Sequence, residues 1–120
     1  MGTTAQLLDP EYGWWSVNGD IFRTIDGGAT WCLLPSIRFG REPVIFGVLR
    51  FLNRNLGWAV PTRYGREDQQ TPPPYETTDG GKTWRPIDVP LQTKIDGLTI
   101  LPNGAVYFWG EGNLYRLVRD

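Results

Sequence analysis

The chain has 120 residues, with 12 basic and 13 acidic side chains, no histidine and one cysteine. Without histidine there is no Ser-His-Asp or Cys-His machinery, and with Cys32 as the lone thiol there is no zinc centre of the Cys/His kind and no internal disulfide. A formal net charge of −1 supplies no bulk field for nucleic acid or an anionic membrane.

Fifteen glycines and ten prolines beside a 40% hydrophobic content suit short strands joined by many turns. Taken in chain order, alternation and turn signals predict strands at Ala5–Leu8, Trp14–Val17, Ile21–Thr24 and Thr30–Leu34. A second group follows at Val44–Phe51, Gly57–Val60, Tyr75–Thr78 and Thr83–Asp88, with turns at Asn53–Asn55 and Asp79–Gly81. A third group offers Gly97–Leu101, Ala105–Trp109 and Asn113–Val118. No segment carries a sustained apolar stripe at helical spacing, so no helix is expected. The N-terminal stretch has neither the basic start nor the apolar run of a signal peptide, and nothing approaches a span of ~20 apolar residues. As written, the chain reads as soluble and cytoplasmic.

The groups are copies of one another. The run Ile21-Phe-Arg-Thr-Ile-Asp-Gly-Gly-Ala-Thr-Trp31 recurs as Pro74-Tyr-Glu-Thr-Thr-Asp-Gly-Gly-Lys-Thr-Trp84. Upstream, Gly13-Trp14-Trp15-Ser16-Val17 parallels Gly57-Trp58-Ala59-Val60, and the polar, Pro-rich stretch Pro61 to Pro73 is the added loop of the second copy. The third copy is partial: Asn103 to Trp109 follows the Gly-Trp strand and Asn113-Leu-Tyr-Arg116 follows Asp20-Ile-Phe-Arg23. Units of roughly 5–35, 44–90 and 95–120, two complete and one incomplete, predict an all-β partial β-propeller of four-stranded antiparallel blades.

Thr24, Asp26, Gly28, Thr30 and Trp31, and again Thr77, Asp79, Gly81, Thr83 and Trp84, resemble the Asp-box (BNR) motif, Ser/Thr-x-Asp-x-Gly-x-Thr-Trp. Physically, the aspartate accepts hydrogen bonds from backbone N–H groups of its own turn, the glycines take positive φ and the tryptophan covers the loop. The motif occurs on sialidases, sortilin-like receptors and Ycf48-like photosystem II assembly factors, as a structural device. The wider pattern, Phe51-Leu-Asn-Arg-Asn-Leu-Gly-Trp-Ala-Val60 followed by Thr78-Asp-Gly-Gly-Lys-Thr-Trp84, is most similar to the Ycf48-like group. That resemblance implies a protein-binding or assembly scaffold.

In four-stranded antiparallel units, the first and third turns share one edge of the sheet and the second turn and the connection between units share the other. The Asp-box turns therefore belong with the short turns, and the opposite side gathers the longer loops, where binding residues usually sit. Two of those loops hold one phrase, Arg38-Phe-Gly-Arg-Glu42 and Arg63-Tyr-Gly-Arg-Glu67. Arg38, Arg41, Arg63 and Arg66, with Tyr64, are the candidate binding residues, because guanidinium beside an aromatic plane suits carboxylate, phosphate or sugar. The plainer account is surface Arg/Glu pairing around a glycine turn. Trp15 and Trp109, set opposite to their strand neighbours, are candidates for stacking on sugar, although core packing accounts for most of the six tryptophans.

Enzyme chemistry finds little support. The arginine, Tyr/Glu and aspartate set of a sialidase has no recognisable arrangement here, and Glu67/Asp68 are adjacent in a loop with no defined separation. No catalytic residue, metal ligand or cofactor is expected. Three units leave two open sheet flanks, so a homodimer closing a ring of six units, or a partner that completes the propeller, is expected. The remaining readings are an oligomeric, lectin-like carbohydrate binder and an inactive piece of a larger Asp-box propeller such as a glycosidase.

Overall fold

The computed structural model describes residues 3–39, 42–61, 73–87, 95–110 and 112–117. Every regular element among them is a strand. The first sheet joins β1 (Thr3–Leu7), β2 (Gly13–Val17), β3 (Asp20–Thr24) and β4 (Cys32–Leu34). A small hairpin of β5 (Arg38–Phe39) and β6 (Glu42–Pro43) leads into the second sheet, β7 (Phe46–Phe51), β8 (Gly57–Pro61), β9 (Tyr75–Thr77) and β10 (Arg85–Pro86). The third is β11 (Gly97–Ile100), β12 (Val106–Gly110) and β13 (Asn113–Arg116). Strands pair in chain order, and every pairing is antiparallel.

Two local departures from the sequence reading have physical causes. The outer strands are shorter than expected: β4 begins at Cys32 and β10 is only Arg85–Pro86. Thr30, Trp31, Thr83 and Trp84 are drawn into the preceding turns by hydrogen bonding, and Asp88 lies outside the described residues. The stretch 36–43, read as loop, contains the β5–β6 hairpin, with Arg38 opposite Pro43 and Phe39 opposite Glu42.

Packing follows from which face each row of side chains takes. In the first sheet, Trp14, Ile21 and Leu34 point inward with Ser16 and are all buried. They meet Leu49, Phe51, Ala59 and Tyr75 from one face of the second sheet. Trp14 lies flat on Phe51, ring centroids 3.6 Å apart and planes 5° from parallel. Gly57 makes room for this, because a Cβ there would run into the Phe51 ring that crosses above it. From the other face of the second sheet, Trp58 and Val60 pack on Leu98, Val106 and Phe108 of the third. The second sheet is thus covered on both sides. The inner strands β1, β7 and β11 lie side by side, and the Gln6 side chain bonds both backbone groups of Phe51, donating to its carbonyl at 3.0 Å and accepting from its N–H.

The first and third sheets each keep one face with no described residue packed over it. On the first, Leu7, Trp15, Trp31 and Leu33 are exposed, with Trp15 stacked on Phe22 and edge-on to Trp31. On the third, Trp109 and Leu114 are exposed. No helix among the described residues is long and apolar enough to cross a membrane.

Candidate functional site

The two Thr-x-Asp-Gly-Gly turns have the same hydrogen-bond pattern. Asp26 accepts from the Thr24 hydroxyl (2.8 Å), the Thr30 amide (2.9 Å) and the Thr30 hydroxyl (2.6 Å). Asp79 accepts from the Thr77 hydroxyl (2.8 Å), the Thr83 amide (2.9 Å) and the Thr83 hydroxyl (2.6 Å). The Thr24 and Thr77 oxygens in turn accept from the amides of Gly28 and Gly81, while Trp31 and Trp84 donate their indole N–H to the carbonyls of the same two glycines. Gly28 at φ 96° and Gly81 at φ 98° occupy backbone space that a side chain disfavours.

Those bonds set the acidity of both carboxylates. The Thr30 hydroxyl, then its amide, then the Thr24 hydroxyl hold Asp26 down at about 2. For Asp79 desolvation pulls upward, but the Thr83 hydroxyl and amide and the Thr77 hydroxyl outweigh it and leave the group at about 2. A carboxylate so saturated with donors is a poor proton carrier at neutral pH; its work is to fix the turn.

These turns sit beside the first turn of their own sheet. The Gly27 amide donates to the Glu11 carbonyl and the Gly80 amide to the Asn55 carbonyl, both over 2.9 Å. Arg54 then ties two sheets together: it bonds Asp9 and Glu11, each at 3.1 Å, and places its guanidinium 3.9 Å from the Tyr12 ring centre. Asp9 is lowered, first by the amides of Tyr12 and Glu11 and then by Arg54.

Of the candidate binding residues, Arg38 is exposed on β5, on the hairpin between the first two sheets. Arg41, Arg63, Tyr64 and Arg66 lie outside the described residues. Trp15 and Trp109 are 38% and 41% exposed, on the open faces of the first and third sheets. These two therefore sit on opposite flanks of the stack rather than in one site.

Three features escaped the sequence reading. Glu76, buried in β9, accepts from the Trp58 indole at 3.0 Å and pairs with Arg85 at 2.8 Å; its signal was a charge at a strand position whose counterpart is Arg23. Arg54, in an Asn-Arg-Asn turn, carries no sequence signal of the Asp9 and Glu11 it pairs with. A cleft of about 440 Å³ also opens where the inner strands meet, lined by Gln6, Arg50, Leu98 and Thr99 among others. No group of three or more metal-ligating side chains occurs among the described residues.

No protein-family profile and no curated protein matches this chain. Solved structures do match. One, described as YCF48 bound to D1 peptide, is 27% identical with a TM-score of 0.57, over 98% of this chain and 39% of its own. The chain therefore spans well under half the length of that relative. With that likeness and these face-to-face antiparallel sheets, the fold is all-β and of the β-propeller type, open at both flanks.

Proposed function

We propose that this chain is a non-enzymatic binding scaffold that engages a protein partner, with each of the units 5–35, 44–90 and 95–120 serving as one propeller blade and the two aspartate-pinned turns as its Asp boxes. The observation that carries the reading is the likeness, across nearly the whole chain, to a propeller solved with a peptide bound. The rigid turns support it: they lock the short-loop edge of the sheets and leave the other edge to longer loops. Arg38, Arg41, Arg63 and Arg66, with Tyr64, are the residues we assign to an acidic peptide segment, since guanidinium forks bind carboxylates in pairs.

The test is binding of the full chain to a fluorescent D1 peptide and to a generic acidic peptide, with and without Arg41→Ala/Arg66→Ala. Binding should fade with added salt and drop at least tenfold in the double variant, while the melting temperature stays put. Unchanged affinity in the double variant sinks the arginine assignment. Binding that follows sugars on a glycan array and ignores both arginines supports the carbohydrate reading through Trp15 and Trp109 instead.

A further inference from the structure

The two open faces are the two halves of an interface that the molecule already forms twice. Strand pairing aligns the sheets: Trp14 opposite Arg23 in the first corresponds to Trp58 opposite Glu76 in the second and Tyr107 opposite Arg116 in the third. Ser16 opposite Ile21 corresponds to Trp109 opposite Leu114. On this alignment, the outward row of the third sheet, half-buried Tyr107 with exposed Trp109 and Leu114, matches the row of the first sheet (Trp14, Ser16, Ile21) that is buried against the second. Leu114, 65% exposed, stands where Ile21 is wholly buried.

The first sheet's open face is the complementary half. Leu7 pairs across Gly13 as Phe51 pairs across Gly57, and Trp15 takes the position of Ala59. Trp31 takes the position of Trp84, which packs near Phe46 and Phe51 in the seam between the first two sheets. Leu7, 69% exposed, stands where Phe51 is only 2% exposed, whereas Leu33 matches Pro86, which is exposed on the second sheet too. One flank of the chain thus repeats the surface that its own second sheet offers to the first, and the other repeats the surface that the first offers to the second.

We infer that the partner of these flanks is a second copy of this chain, docked head to tail. The third sheet of each copy packs on the first sheet of the other, continuing the internal stacking. A contact between unlike surfaces closes when the rotation per copy divides the circle, and two copies supply six sheets, within the range of closed propellers. This does not depend on the peptide-binding reading: a dimer that binds no peptide leaves it intact.

The experiment is the solution mass of the full chain by light scattering at about 100 µM, far above a micromolar dissociation constant. The expected mass is about 27 kDa, twice the 13.6 kDa of one chain. Leu7→Asp and Leu114→Asp, at exposed positions whose counterparts Phe51 and Ile21 are buried, should each give a monomer with an unchanged circular dichroism spectrum and a lower melting temperature that no longer depends on protein concentration. Mixing the two variants should raise the mass above that of either alone, because one has an intact first-sheet face and the other an intact third-sheet face. A wild-type monomer at this concentration overturns the inference. So does a Leu114→Asp protein that still dimerises, which indicates pairing of like faces, or a mass beyond two copies, which indicates an array that does not close.

Discussion

The indole N–H of Trp14 donates to the carbonyl of Gly80 over 2.9 Å, across a separation of 66 residues. It joins the second strand of one sheet to the aspartate-pinned turn of the next, and Trp14 is fully buried. A single side chain thus supplies both the stack on Phe51 and a polar anchor between sheets.

Trp14→Phe keeps most of the stack and removes the anchor, leaving the Gly80 carbonyl buried without its donor. The loss should be roughly 1–3 kcal/mol of unfolding free energy, read as a lower midpoint in urea with an unchanged slope. A midpoint equal to wild type shows that the bond contributes nothing net.

The aspartate turns predict acid sensitivity. Asp26 and Asp79 titrate at about 2 in the folded chain against an ordinary 3.8. A folded value below the unfolded one stabilises fully above the unfolded pKa and loses that contribution as the pH falls through the folded one. Stability should therefore decline from about pH 5 toward pH 2, and Asp26→Asn/Asp79→Asn should be less stable at pH 7 with a flatter profile over that window. A double variant whose pH profile parallels wild type removes these two groups as the cause.

Gly57→Ala tests the close crossing of Phe51 over the glycine. The new methyl must displace the ring, and with it the stack on Trp14. We expect a loss of about 1–3 kcal/mol and a change in near-ultraviolet circular dichroism. Retention of the wild-type aromatic spectrum contradicts this account.

Ser16 carries a buried hydroxyl with no hydrogen-bond partner among the described residues. Removing an unpaired buried polar atom relieves its desolvation, so Ser16→Ala should leave stability unchanged or raise it by up to ~1 kcal/mol. A destabilised Ser16→Ala protein indicates that the hydroxyl bonds a water or partner group.

What the sequence made legible was local or repeated. The Thr-x-Asp-Gly-Gly-x-Thr-Trp runs contain, within eight residues, all the side chains that close their turns, and the Gly-Trp strands recur at matching positions. What stayed hidden depends on which sheet lies against which. Trp14 and Trp58 hold equivalent strand positions, yet one reaches Gly80 in the neighbouring sheet and the other turns to Glu76 in its own. Arg54 reads as a turn residue until Asp9, Glu11 and Tyr12 arrive from another sheet. The β5–β6 hairpin comprises two residues per arm, below the length at which alternation carries information.

Among the described residues only the middle sheet has both sides occupied, by Trp14 and its neighbours on one and by Phe108 and its neighbours on the other. Disassembly should therefore peel inward from the two ends, with the amides of β8 the last to trade their protons for deuterons and those of β4 and β13 among the first. Whatever caps the flanks should slow exchange most at the periphery and hardly at all beside Ala59.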